Sequence, residues 1–199
     1  MAVPNTHEGP ARIGAVMDGV RSRGGSVYCI GIGGVMMASL AILTARAGFP
    51  VSGSDRAFAG GCDSPTAQRL TAAGIRLFGD HAAAHLPPDC GAVIYTVAIA
   101  EDNPEYRAAA ERGIPRFSRA DYIGWLMTGY SRRVGVAGMH GKSTCTSMCA
   151  QVFLDAAADP TVLIGADYPP IGGAFRRGGR EMFLFEACEY MDSFLDFRP

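Results

Sequence analysis

The sequence predicts an α/β fold: a parallel sheet of alternating strands and helices, followed by the opening of a second α/β unit. Three observations predict it. Short apolar runs alternate with amphipathic stretches of helix length along most of the 199 residues, a rhythm that right-handed crossovers fold into a parallel sheet. Glycine is abundant, at 26 residues, as many tight turns and close backbone approaches demand. Two glycine loops, at 31–34 and 138–141, each follow a strand-like run and open a helix-like one.

The elements follow in order. Residues 1–25 are polar and rich in glycine and arginine, a frayed start with a short helix near Ile13–Val20. Ser26–Ile30 reads as a strand and Val35–Ala47 as a helix closed by Gly48. Pro50–Ser54 is the second strand. Pro65–Ala73 is helical and ends at Gly74, ahead of the strand Ile75–Phe78. Ala92–Tyr95 is a buried strand, and Pro104–Arg112 is a helix stopped by Gly113. Ile114–Phe117 gives a fifth strand, and Arg119–Met127 a helix with the lone Trp125. Polar, turn-like Thr128–Arg133 marks a domain boundary, so the expected units are 1–128 and 129–199. The second opens with the strand Val134–Ala137 and runs through a glycine loop into a helix from Gly141 to about Ala157. Strands Thr161–Ile164 and Met182–Phe185 follow, separated by a Gly/Pro-rich connection, Gly165–Gly179. Three strands make a thin domain. Its last edge should be exposed or 165–199 partly unstructured, so a protease should cut after about residue 160 before it cuts within 26–125.

Composition excludes several function classes. Hydrophobic residues make up 48% and charged residues 19%, an ordinary globular profile. A net charge of −1 does not suit a surface that coats polyanions, so no nucleic-acid partner is expected. The longest near-apolar run, Val35–Leu43, is too short to span a bilayer, and residues 1–25 lack the apolar core of a signal peptide. The expectation is a cytoplasmic protein with no membrane partner. Six cysteines (Cys29, Cys62, Cys90, Cys145, Cys149 and Cys188) form no CxxC pair and no metal-like pairing with histidine. Cys145 and Cys149 lie one helical turn apart and read as small buried helix residues in a reducing compartment. Of 18 basic residues the only lysine is Lys142. An ammonium and a guanidinium are not interchangeable where phosphate is met as a point charge.

Three motifs carry chemistry. In the first, Gly31, Ile32, Gly33 and Gly34 follow a strand and open a helix, where free N–H groups and a dipole end suit a diphosphate. Asp55 ends the second strand, near where an acidic residue bonds a ribose hydroxyl, but Met36 replaces the third glycine of the dinucleotide pattern. A purely structural strand–helix turn is the alternative. The second motif runs Gly138, Met139, His140, Gly141, Lys142, Ser143, Thr144. It has the context of a P-loop: amides that wrap ATP phosphates, Lys142 for the β- and γ-phosphates, and the Ser143 hydroxyl for Mg²⁺. Its spacing is one short of the full pattern, with Val136 where the first glycine belongs. A helix cap that happens to hold these residues is the alternative. Third, an apolar strand ends at Glu186, with Glu189 and Asp192 beyond it, placed to hold Mg²⁺ or to be solvated strand-end charges. His140 could contact phosphate or merely cap the loop. His81 and His85, four residues apart, lack a third metal ligand.

In this order the three motifs resemble the Mur ligase family, from about Ser26 to Pro199. The matching stretches are Gly31–Ala41 (GIGGVMMASLA), Val51–Asp55, Val93–Ile99, Asn103–Glu105, Gly113–Pro115, Ala137–Thr144 and Glu186–Leu195 (EACEYMDSFL). The short P-loop is typical of these ligases. EACEY stands where many relatives read EADES, and Met36 and Ala38 depart from the usual glycine and serine. The resemblance implies a Rossmann-like domain for a UDP-sugar, then a central P-loop ATPase domain and a C-terminal amino-acid domain. Here the second would be cut within its opening strands and the third absent, so these residues alone should show no ligase activity.

It further implies ATP-dependent joining of L-alanine to UDP-N-acetylmuramate through an acyl phosphate, in peptidoglycan precursor synthesis, with Mg²⁺. Lys142 would stabilise the transferring phosphoryl group, and Ser143 and Glu186 would hold the metal. Residues Gly138, Met139, His140, Gly141, Lys142, Ser143 and Thr144 would bind ATP. Gly31, Ile32, Gly33 and Gly34 would cradle the UDP diphosphate, Asp55 would sit near uridine or ribose, and Thr96 could add a contact at the sheet edge. Three rivals stay open: a sister ligase adding a preformed peptide, a non-catalytic UDP-sugar-binding fragment, and an NAD-dependent oxidoreductase. Met36 and the second phosphate motif count against the last.

Overall fold

The computed structural model describes residues 3–4, 6–61, 63–187, 195–197 and 199. After helix α1 (Pro10–Ser22), the first sheet is built from β1 (Ser26–Ile30), β2 (Val51–Ser54), β3 (Arg76–Phe78), β4 (Cys90–Tyr95) and β5 (Arg116–Ser118). All four pairings are parallel and the order is β3-β2-β1-β4-β5. Helices α2 (Val35–Arg46), α3 (Pro65–Ala72), α4 (Pro104–Glu111) and α5 (Arg119–Met127) follow β1, β2, β4 and β5, while a 3-10 turn follows β3, so the expected Rossmann-like architecture is present. Chain reversal after β1 and after β4 puts the loops that carry Gly31 and Thr96 side by side at the C-terminal edge of the sheet.

A second, four-stranded sheet follows. It comprises β6 (Arg132–Val136), β7 (Thr161–Tyr168), β8 (Gly173–Arg176) and β9 (Met182–Glu186), in the order β6-β9-β7-β8, with helix α6 (Lys142–Asp155) after β6. Here the structure corrects the sequence. The Gly165–Gly179 connection contains a 3-10 turn and β8, which runs antiparallel to β7 and gives the sheet a fourth strand. Gly172 and Gly173, at φ +78° and +137°, make the reversal. Four residues with no alternating pattern gave no strand signal of their own; the pairing partner supplies it. Also, β6 starts at Arg132, inside the segment read as a turn, because its backbone N–H donates to Glu181 O at 2.8 Å beside the start of β9. Helix α1 is longer than expected, starting with Pro10 in its first turn, where a missing N–H costs nothing.

The alternation along the strands assigns each face its partner. Val27 and Cys29 of β1, with Ala92 and Ile94 of β4, face α1, α2 and α5. Tyr28 and Ile30, with Val93 and Tyr95, face the opposite side, where Leu86, Ala109 and Ile114 cover them. The second sheet splits likewise. Val162, Ile164 and Leu184 pack under α6 with Ala150, whereas Leu163, Phe183 and Phe185 join the main core around α1, α2 and α5. Helix α2 therefore packs on both sheets, meeting β7 and β8 as well as β2. Among the described residues no helix is long and apolar enough to cross a membrane.

Candidate functional site

The first glycine loop is tied down from inside. Gly31, at φ +79°, lies so close to Thr96 that a Cβ would collide with its methyl group. Gly31 N and Ile32 N both donate to Ser54 O, at 2.8 and 3.1 Å, fastening the loop to the end of β2. Asp55 accepts from Gly33 N through Oδ2 and from Ala57 N through Oδ1, both at 2.9 Å. Gly34 N reaches Gly31 O at 3.4 Å. The loop's own amides thus have partners within the protein. The amides that α2 cannot satisfy by itself are those of Val35, Met36 and Met37 in its first turn, at the positive end of the helix.

Of the six residues expected to meet the UDP-sugar, Gly31, Asp55 and Thr96 line one cavity of about 540 Å³ at the C-terminal edge of the first sheet. Arg56, His81 and Asn103 line it with them. Gly33 and Gly34 are not among its lining residues, and the Ile32 side chain is wholly buried in the main core. A contribution of Ile32 to ligand binding is therefore limited to its backbone.

At the second loop, Gly138 and Gly141 have φ of +154° and +75°, backbone that suits glycine, and Gly141 caps α6 without a side-chain bond. The first-turn amides of α6 are thereby left toward the loop. Lys142 Nζ donates to Gly138 O at 2.8 Å, folding the ammonium back across the loop. Met139, His140 and Thr144 stand exposed. Ser143 Oγ donates to Glu186 Oε2 at 2.8 Å, and Gly165 N donates to the same oxygen at 2.8 Å. Strand β9 lies between β6 and β7, with Glu186 opposite Val136, so its last residue reaches both neighbours. Gly165 leaves the room: a Cβ there would sit 2.8 Å from that carboxylate oxygen. A hydroxyl and a carboxylate side by side are hard oxygen donors of the kind Mg²⁺ takes, so the residues present fit the metal. Glu189 and Asp192 lie outside the described residues.

Sequence reasoning missed a cluster beside the first cavity. Glu105 is wholly buried and accepts from Tyr28 Oη at 2.7 Å and Ser54 Oγ at 2.6 Å. His81 Nδ1 lies 3.0 Å from its Oε2, and His85 Nδ1 3.3 Å from its Oε1. Burial, opposed by the Ser54 hydrogen bond and aided by Glu105, raises the Tyr28 hydroxyl well above its usual range. The only local hint was His81 and His85 at a spacing of four; their partner is twenty residues further on. The cysteines divide. Burial, with Cys90 nearby, pushes Cys29 up to about 12, and burial pushes Cys90 up to about 11. Cys145 is exposed and Cys149 half-buried, against the expectation of two buried thiols, because α6 turns that face away from the sheet. Cys62 and Cys188 lie outside the described residues.

A parallel sheet with a cavity at its switch point, followed by a second sheet whose first strand runs through a glycine loop and lysine into a helix, defines a two-unit α/β protein of P-loop type. The model of the Mur ligase family, catalytic domain, matches residues 26–131, and the chain belongs to that family. It is 42% identical over 173 residues to the UDP-N-acetylmuramate–L-alanine ligase of Lachnospira eligens, covering 87% of this chain and 37% of that protein. The enzyme of the same name from Clostridium perfringens is 44% identical over 173 residues, covering 87% and 36%. Among solved structures, the UDP-N-acetylmuramate–alanine ligase of Thermotoga maritima superimposes with a TM-score of 0.77 at 28% identity, over 88% of this chain and 40% of that one. The UDP-N-acetylmuramate:L-alanyl-γ-D-glutamyl-meso-diaminopimelate ligase of Neisseria meningitides gives 0.73 at 28%, over 83% and 53%. The chain spans well under half the length of the curated relatives it matches.

Proposed function

We propose that this chain is the front part of an ATP-dependent, ADP-forming ligase that joins L-alanine to UDP-N-acetylmuramate through an acyl phosphate, in cytoplasmic synthesis of peptidoglycan precursors. Residues 1–128 are the UDP-sugar-binding domain and 129–199 part of the ATP-binding domain. The observation that carries the reading is the pairing of Ser143 with Glu186 at 2.8 Å beside the loop that Lys142 spans. A hydroxyl paired with a carboxylate stands where a helix begins, and the next residue back carries an ammonium, the set of groups phosphoryl transfer uses.

The division of labour follows from the residues. ATP and Mg²⁺, when bound, supply the phosphoryl group and neutralise its charge. Gly138, Met139, His140, Gly141 and Thr144 contribute loop amides that orient the phosphates. Lys142 leaves Gly138 O and offers its point charge to the oxygens that gain negative charge in the transition state. Ser143 and Glu186 would hold the metal, with Gly165 N–H keeping the carboxylate aimed. At the other site Gly31–Gly34 with the first turn of α2 support the diphosphate, and Asp55 and Thr96 flank the nucleoside. The L-alanine site belongs to the portion of the relatives that this chain does not cover, so residues 1–199 alone should release no ADP in response to UDP-N-acetylmuramate and L-alanine.

A second reading, a ligase that adds a preformed peptide, draws on the likeness to the Neisseria meningitides enzyme. Both readings share the front half. Calorimetric titration of the 199-residue chain with UDP-N-acetylmuramate, ATP–Mg²⁺ and NAD tests what they share. The first two should bind; NAD binding as tight as that of the UDP-sugar would overturn the reading and favour a dehydrogenase.

A further inference from the structure

We propose that Glu105 is a positioning residue that holds His81 in the Nδ1–H tautomer, so that the Nε2 lone pair serves the 540 Å³ cavity as an acceptor for a hydrogen-bond donor on the nucleoside. This rests on reading that cavity as the UDP-sugar site. The argument starts from the carboxylate. Glu105 has no exposed surface, and four side chains, from β1, β2 and the β3–β4 connection, converge on its two oxygens. An ionised carboxylate only accepts, so a ring nitrogen at 3.0 Å must bring the proton. Ser54 Oγ, 2.9 Å from the same Nδ1, already donates to Glu105 and can only accept from the ring, which fixes the same assignment twice.

The two histidines then differ. His85 has both nitrogens near carboxylates, Nδ1 at Glu105 and Nε2 3.5 Å from Asp80 Oδ1, and its ring stacks on Phe78 at 4.0 Å between centroids. It is held inside the cluster. His81 turns one nitrogen to Glu105, and its ring lines the cavity with 12% of the side chain exposed. Nε2 is its remaining polar atom. When one ring nitrogen gives its proton to a fixed carboxylate, the other becomes a more basic and better oriented acceptor, as in carboxylate–histidine pairs at metal sites. A ribose hydroxyl or the uracil imide N–H is a donor of the right kind. A phosphate oxygen is not. Glu105 also begins α4, whose cap Asn103 and first residue Pro104 line the same cavity, so the carboxylate and the wall it orders are one piece.

The test reads tautomer and affinity on the same protein. In the 199-residue chain labelled with ¹⁵N-histidine, His81 should show the Nδ1–H pattern of imidazole nitrogen shifts, assigned by its loss in His81→Asn. Glu105→Ala removes the acceptor, so His81 should shift toward Nε2–H and UDP affinity should fall on the order of tenfold. Glu105→Gln guards against a folding defect, since it keeps the volume and can present either its oxygen or its NH₂ to the ring. Whichever tautomer His81 adopts there should predict the UDP affinity, near wild type for Nδ1–H and weak for Nε2–H. An Nε2–H pattern in the wild type, or full UDP affinity in a variant whose ring has switched, overturns the proposal. If no form binds UDP although His81 carries the Nδ1–H pattern, the nucleotide reading of the cavity fails, and with it the role given to Nε2. The hold of Glu105 on the ring is then measured separately.

Discussion

Lys142 is where one residue decides most. An ammonium that spans its own loop to Gly138 O can be released to a phosphate at no cost in buried charge, because the loop is exposed. In a protein extended to the length of its relatives, Lys142→Ala should cut turnover by on the order of 10²-fold or more, as loss of transition-state charge stabilisation does. Lys142→Arg should be nearly as damaging, since a planar fork cannot occupy the same point. Steady-state ADP release checks both, and near-wild-type turnover of the arginine variant would refute the point-charge argument. This residue and its loop were legible in the sequence because everything they need is local: a strand, two glycines, a helix start. Glu105 was not. Its meaning depends on Tyr28, Ser54, His81 and His85, and no local pattern says that a helix-start carboxylate will be buried beneath a sheet edge.

For the elements, β1 and β2 are held at a separation that only glycine allows. Gly53 pairs with Cys29, and a Cβ at Gly53 would collide with Cys29 O and sit 2.8 Å from Ile32 Cδ1. Gly53→Ala should therefore destabilise the fold by about 1–3 kcal/mol, the usual cost of overpacking. A lower urea midpoint with an unchanged slope would show it; an unchanged midpoint would mean the strands separate freely. Expected and observed strands agree within a residue or two at β1 and β2, whereas β7, expected to stop at Ile164, runs on to Tyr168. They part at β8, whose four residues become a strand only because β7 offers an unpaired edge, and at the start of β6, where β9 extends the ladder backward. Strand pairing is a long-range property, and a linear reading registers it only when the strand also carries its own pattern.

In the molecule as a whole, the main core joins both sheets, with Leu163, Phe183 and Phe185 of the second packed among Met37, Tyr122 and Ile123 of the first unit's helices. Stability should therefore be shared, and the alkaline limb of unfolding should reveal groups buried in that core. Cys29 has an ordinary value of 9.0 when unfolded and about 12 when folded. Between those values the unfolded chain has lost the proton that the folded chain keeps, so stability falls as pH rises from 9. The loss approaches about 1.4 kcal/mol per pH unit for each such group. The melting temperature should drop steadily between pH 9 and pH 11 and drop less in Cys29→Ala. A flat profile would contradict the burial of these groups.

One more property follows from the lone lysine. Guanidinium groups are inert to the mild aldehydes and active esters that modify amines, and 17 of the 18 basic side chains are arginine. Reductive methylation with isotope-enriched formaldehyde would thus place a single side-chain reporter in these 199 residues, at the second glycine loop. Its resonance, set apart from that of the α-amine, would register the exchange of Gly138 O for a nucleotide without any engineered label, and an electrophile built on a nucleotide triphosphate would meet no other side-chain amine among these residues.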